Sequence, residues 1–494
     1  MTKTNSYFRI PLYQLVLSQD IITDDVFNHE WEGDGTAENP YLVHWLHKDA
    51  RDPHQMQDCL KWSITLLQAA SFLSITFASS ALPAANPQIQ ERFGASTGLV
   101  VADTSLFVLA FAIGPAIWAL LSELWGRQTI YFITYGLATL FAGATIASPN
   151  IATLLVLRFL AGAFGSSAIS NAGSVVSGMY TARDRGLATI AFIGAPFLGP
   201  SLGPITCNFL AVSRGWEWVQ RVTTIFNGVV FLVGVAFIPE TYTPVLLQKR
   251  AAKLSQLTGA VYRSRLDVSN VNQTASQIFT KTMVRPWILL LMEPIVLLLS
   301  IYMAIIYGTI ISGLSFLGMM IGQILGCAYS ILDDGRYKKI ADRTAYGRPS
   351  PEARLIPAMV GAVTLPIGTV FFGFSHVSIF LSVVNYLVDG YTIYAASALA
   401  GNAVIRALFG AAFPLFTTPM YRNLGIHWAS SISAFLAVAC LPFPWIFYKY
   451  GLAIRHHCQY DAESARRLDK MTDQMRAQDE QRAAKQKPET KAMS

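Results

Sequence analysis

Charge is nearly absent from long stretches of this chain. Between Trp287 and Leu332 the only ionised side chain is Glu293, and similar apolar runs recur on both sides of it. Only 14% of the 494 residues are charged and 53% are hydrophobic, against about 25% charged in soluble globular chains. The charges crowd into residues 1–61, 240–286, 333–354 and the tail beyond Arg455. A helix needs about 20 apolar residues to cross the hydrocarbon core, where every backbone polar group must be satisfied within the segment. The pattern therefore specifies an all-α protein that crosses a bilayer many times.

Six spans are expected before the large loop, at about 62–83, 99–121, 129–147, 152–177, 187–211 and 218–238. The chain then divides into an N-terminal cytoplasmic segment (1–61), an N-terminal six-helix bundle (62–239), a central cytoplasmic loop (240–286), a C-terminal bundle (287–450) and a cytoplasmic tail (451–494). The first 60 residues are polar and read as no signal peptide, so the first span inserts itself and leaves the N-terminus in the cytoplasm. Arg127, Arg183, Arg185, the basic central loop and the cluster at 336–354 then share the cytoplasmic side. Chiefly Arg92, Arg214 and Arg422 fall opposite, as the positive-inside rule requires. Residues 31–40 read as a flexible acidic segment.

The second half divides less cleanly. Trp287–Leu332 is too long for one span and fits two helices joined by a tight hairpin near Ser312-Gly313. Leu355–Phe374 is a full span, whereas Val377–Val388 is only about half of one. The count approaches twelve, with the seventh, eighth and tenth spans cramped or cut short.

Several function classes fall away. The net charge of +7 is accounted for by basic residues flanking apolar spans, so no nucleic-acid partner is expected. Cys207, Cys327 and Cys440 lie inside apolar runs, and no paired metal-type spacing occurs among the five cysteines. No metal site, disulfide framework or cofactor is expected. No Ser/His, His-cluster or Glu-rich constellation sits at a common depth, so the chain does not read as an enzyme.

The polar residues left inside the spans are the candidates for function. Arg158, in Leu154–Gly165, costs about 2.5 kcal/mol or more within a bilayer. It faces water or an acidic partner, or else it snorkels to the outer interface. Glu293 is the first choice for coupling to a proton or cation; the competing reading is an inner-interface carboxylate satisfied by Arg285 or water. Asp389 and Arg406 either pair across spans ten and eleven or guard the cytoplasmic end. Trp118, Tyr302, Tyr307, Phe316 and Asn385 are cavity-lining candidates, with lipid contact an equal alternative.

Three motifs carry a resemblance. Glu123-Leu-Trp-Gly126-Arg127-Gln128 makes a tight charged turn between spans two and three and resembles the loop 2–3 signature of the major facilitator superfamily. Glu123 stands where that family has Asp, and Gln128 where it has a basic residue. The Arg158 segment resembles a second signature, whose arginine is linked to proton transfer. Gly194-Ala-Pro196-Phe-Leu-Gly199-Pro200-Ser-Leu-Gly203-Pro204 in span five resembles the antiporter signature of proton-coupled exporters. With Pro239–Leu247, Arg285–Val296 and Asn402–Phe416, these features are similar to fungal twelve-span drug:proton antiporters of the polyamine and multidrug branch. The resemblance covers about 40–450.

The resemblance implies the major facilitator fold of two six-helix bundles, here with a shortened C-terminal bundle. It implies proton-coupled export of small organic compounds (drugs, polyamines or secondary metabolites) by a monomer. The expected location is the plasma membrane, with vacuolar or vesicle membranes as alternatives. Asp103 has no counterpart in the family pattern and carries little weight. Roughly two dozen residues of the family pattern are missing near 312 and again near 376. The alternative is therefore a degenerate, non-transporting member.

Overall fold

The computed structural model describes residues 10–46, 49–180, 184–264, 275–311, 316–343, 350–367, 369–391, 395–456, 458 and 460. The first bundle follows the apolar runs closely. Its helices are α1 (Asp58–Ala81), α2 (Thr97–Trp125), α3 (Arg127–Ala144), α4 (Ile151–Gly165) continued by α5 (Ser167–Met179), α6 (Arg185–Arg214) and α7 (Trp216–Phe237). Their starts are locally encoded. The Ser96 hydroxyl accepts from the Leu99 amide, and the Asn150 side chain accepts from the Thr153 amide at 2.8 Å, each satisfying an orphan donor of the first turn. Between α2 and α3, Gly126 adopts φ 94°, a conformation open to glycine at little cost.

The central loop opens with α8 (Thr243–Thr258), whose Val245, Leu246, Leu247, Ala251 and Leu254 are buried. Part of what they bury is the N-terminal segment. Val26, Trp31 and Val43 cluster with Leu247, Ala251 and Leu254, and strand β1 (Tyr41–Val43) pairs in parallel with β2 (Tyr262–Ser264). The expectation of a flexible segment at 31–40 is thus corrected. Asp34 donates to the Asn39 carbonyl and Leu42 to the Glu32 carbonyl, while Trp31 is buried. An acidic, glycine-rich composition does not reveal that one tryptophan has a partner surface some 200 residues away.

The second half comprises α9 (Ala275–Met292), α10 (Pro294–Ile311), α11 (Phe316–Arg343), α12 (Ile356–Thr364), α13 (Thr369–Gly390), α14 (Ala395–Cys440) and α15 (Phe443–His456). Two expectations are revised. The Trp287–Leu332 run carries a break the sequence reading did not include: the chain bends by 95° between α9 and α10 at Glu293, because a residue before proline resists the helical conformation. Beyond that bend α10 packs on α14, while α11 packs on α13 and α6, so the two are not packed side by side. The proposed turn at Ser312-Gly313 lies outside the described residues.

The short helix is also reassigned. Residues 369–390 form a complete span, and it is α12, with nine residues, that is the stub. Pro366 follows its end and halts it. Among the described residues nine helices are long and apolar enough to cross a membrane, or ten with the pair bent at Glu293. The 46-residue α14 holds one of these spans (Ser397–Thr417) and, beyond Gly425 at φ 74°, the start of another (His427–Arg455) that continues through α15.

Candidate functional site

Arg158 does not snorkel. It is 2% exposed, and its Nε donates to Asp103 Oδ1 at 3.0 Å and Oδ2 at 3.2 Å. Its Nη1 donates to the Ala78 carbonyl at 2.9 Å, and its guanidinium lies 4.5 Å from the Phe107 ring centroid. Asp103, given little weight from the sequence, is therefore its partner. The signal was present: Asp103 is six residues into α2 and Arg158 seven into α4. At 1.5 Å per residue both lie about 10 Å from the same end of the bundle. Near that end, opposite the central loop, a cavity of about 330 Å³ opens between Thr97, Gly98 and Val101 of α2 and Leu415, Pro419, Arg422 and Asn423 of α14.

The Gly/Pro run places α6 against both halves. A Cβ on Gly199 would overlap Thr76 Oγ1 and one on Gly203 would overlap Ser80 Oγ, so α1 and α6 touch backbone to backbone. Ser80 Oγ donates to the Gly199 carbonyl at 3.2 Å. Pro196, Pro200 and Pro204 remove three amide donors from the α6 ladder. The opposite face meets the second half. Gly194 abuts Cys327 Sγ of α11, Ser201 Oγ donates to Gln323 Oε1 at 3.0 Å, and Phe197 packs on His376 and Phe380 of α13.

At the loop end, Glu240 organises the turn between α2 and α3. Its Oε2 accepts from the Gln128 amide at 3.0 Å, and its Oε1 accepts from the Thr241 and Tyr242 amides, each at 2.9 Å. Gly126 is pressed against the same carboxylate, where any Cβ would collide. Arg127 lies 4.7 Å from the Tyr242 ring centroid, with Glu240 and Glu123 the carboxylates that act on it. Arg127 and Arg285 are the cations that act on Glu123. The substituted Gln128 ties this turn to the N-terminal segment: its Nε2 donates to the Val16 and Ile238 carbonyls, and its Oε1 accepts from Gln19. Arg51 donates to the Glu240 carbonyl at 3.2 Å, its guanidinium lowered to about 10 chiefly by burial. Asp49 pairs with Arg250 of α8. Sequence reasoning singled out neither Glu240 nor Arg51.

The sequence matches the model of the Major Facilitator Superfamily over residues 67–441. The chain belongs to the major facilitator superfamily. It is 46% identical to the MFS-type efflux pump MFS2 of Trichophyton rubrum, over 94% of this chain and 84% of that protein. It is 44% identical to the major facilitator superfamily multidrug transporter mdrA of Aspergillus fumigatus, over 95% and 84%. Among solved structures, the proton:xylose symporter XylE superposes with a TM-score of 0.57 at 15% identity, covering 80% of this chain and 97% of that one; this likeness shows the fold. The alignment with the Trichophyton pump runs to 503 positions, of which the aligned 94% of this chain fills about 464. About 39 of its positions thus have no residue opposite them in this chain.

Within the superfamily fold, the second-half candidates separate. Asp389 and Arg406 do not pair. Asp389 accepts from Tyr337 Oη at 2.8 Å and from Arg354 Nε at 3.1 Å, and Arg354 also reaches Asp334 at 3.5 Å. This cluster sits beside Gly186, where a Cβ would strike Asp334, so it joins the two halves at the loop end. Arg406 lies instead over Phe380, at 4.7 Å, and Tyr307, at 5.5 Å. Each faces a different neighbour because α13 contributes its last turn to one contact and its middle to the other.

Glu293 sits at the right-angled bend, 1% exposed. Its carboxylate accepts from Tyr391 Oη and from the Tyr460 amide, each at 2.9 Å. Arg285, one of the partners expected for it, acts on Glu123. Trp118 is a packing residue, donating to the Ala163 carbonyl and lying against Phe164. Tyr302 is buried against Phe443, Asn385 borders the Asp334–Arg354 cleft, and the side chain of Phe316 lies outside the described residues.

Proposed function

We propose that this chain exports small organic compounds from the side of its central loop to the opposite side, driven by inward movement of protons. The observation that carries the reading is the Asp103–Arg158 pair at 3.0 Å, within the bundle and toward the end opposite the loop. An acid whose charge is balanced by one neighbouring cation is a group that a proton can uncouple: protonation releases the arginine. Helix α6, glycine-packed on α1 and faced to α11 and α13, is placed to transmit such a change between the halves. Relatives named as efflux pumps and a multidrug transporter support the direction. The distribution of basic residues supports a cytoplasmic central loop and cytoplasmic termini, and the plasma membrane is the membrane we assign, with the chain acting as a monomer.

The test is energised efflux from cells expressing the whole chain. Export is expected to stop when the proton gradient is collapsed. Export that survives collapse, or an Arg158→Ala chain that transports normally, sinks the reading.

A second reading has its own observation. The nine-residue α12 leaves the second bundle short, and roughly 39 positions of the alignment with the Trichophyton pump have no residue opposite them. A non-transporting member of the superfamily then follows, and full membrane expression without efflux of any solute supports it.

A further inference from the structure

Arg406 lies near the centre of its span, nine residues from one end and eleven from the other in Ser397–Thr417. That is about 14 to 17 Å of helix on either side, the depth at which an ionised side chain is least tolerated. Among the described residues it has no hydrogen bond and no ion pair. The acids that might balance it are engaged elsewhere: Asp103 with Arg158, Asp389 with Arg354 and Tyr337, Glu293 with Tyr391 and the Tyr460 amide. What surrounds it is aromatic: Phe380 and Tyr307.

Beside it stands His376, 2% exposed, with neither ring nitrogen hydrogen-bonded. Its ring is held edge-on by Phe197 at 4.6 Å and lies at 6.4 Å from Phe380. One turn along α6 from Phe197, Ser201 holds the oxygen of Gln323, and Gln323 Nε2 is buried without an acceptor. A buried donor left unmade costs about 1–3 kcal/mol. Two buried groups of this kind, His376 and Gln323, together with the half-buried Arg406 guanidinium, describe a surface where the two halves meet that is built for an acceptor brought by a ligand.

We propose that Arg406, His376 and Gln323 form an anion-recognition site between the two halves, and that the exported class is the aromatic or flat apolar carboxylate. This rests on the reading of the chain as an exporter and names its solute. The guanidinium fork suits a carboxylate in bidentate contact, and Phe197, Phe380 and Tyr307 supply an apolar surround for the ring. A cationic drug or polyamine would instead meet an uncompensated positive charge.

The test is binding of radiolabelled 1-naphthoate, against its neutral amide, to the purified full chain in lipid nanodiscs. The wild type is expected to prefer the naphthoate. Arg406→Gln should weaken naphthoate at least about tenfold, one lost charge-assisted contact, while leaving the amide unchanged. His376→Asn should weaken naphthoate about threefold. If Arg406→Gln does not reach the membrane folded, Arg406→Lys serves, with an intermediate loss. A wild type with no preference for naphthoate, or a preference unaffected by Arg406 variants, overturns the site. Export in liposomes is read separately. Naphthoate binding that depends on Arg406 without any export supports the site and fails only the exporter reading. Export of rhodamine 6G without naphthoate preference fails only the anion site.

Discussion

Asp103 and Arg158 meet through both carboxylate oxygens, at 3.0 and 3.2 Å, on helices 55 residues apart in sequence. Each is 2% exposed, so neither has water to fall back on. Removing one partner strands the other charge, at about 3–5 kcal/mol. Asp103→Asn should therefore lower the detergent-solubilised melting temperature and abolish proton entry into liposomes, read with an internal pH dye. Asp103→Asn combined with Arg158→Gln should regain much of the lost stability without regaining proton movement. Independent, additive losses of stability from the two changes would contradict a direct coupling.

The α1–α6 contact makes a steric prediction. Gly199→Val places methyl groups into Thr76 and the Phe77 amide, and overpacking of this kind costs about 1–3 kcal/mol. Efflux should fall sharply with surface expression only modestly reduced. Gly335→Ala, where the space around the glycine is open, is the control and should be neutral.

Glu240 accepts three backbone amides and sits under Gly126. Glu240→Ala should free the turn between α2 and α3 together with the N-terminal segment that Gln128 and Arg51 hold to it. Limited proteolysis checks this: cleavage within residues 31–51 should become several-fold faster than in the wild type. Unchanged protection would mean that the contacts to α8 and β2, with the Asp49–Arg250 pair, secure the segment without Glu240.

At the loop end, Arg354 bridges Asp334 and Asp389 while lying 3.2 Å from the Tyr337 ring centroid. Arg354→Met removes the guanidinium contacts to Asp334 and Asp389 while the tyrosine donor to Asp389 stays, and stability should fall by about 1–3 kcal/mol. Labelling of Asn385→Cys by a small thiol reagent from the loop side should accelerate in that background. Tyr391→Phe, which deletes one donor to Glu293, should cost only about 1–2 kcal/mol.

The sequence by itself determined the class of solution. Runs of about 20 uncharged apolar residues admit only helices in a bilayer, and the first bundle's limits followed from that within a few residues. Motif chemistry was legible too: Gly199 and Gly203 signalled a close helix contact, and Arg158 demanded a partner. Which partner was a matter for the tertiary structure. Rotation of each helix about its axis is set by all its neighbours together, so Asp103 was undervalued, and of the two readings of Asp389 and Arg406 the pairing between them gave way to a contact of Asp389 with Arg354. The same holds for Trp31, whose burial depends on α8, and for the second half, where Pro294 and Pro366 redistributed apolar residues among α9 to α13. Hydropathy counts residues along one dimension. Pairing of charges and closure of a bundle depend on contacts between residues far apart in the chain, and those exist only once the helices have packed.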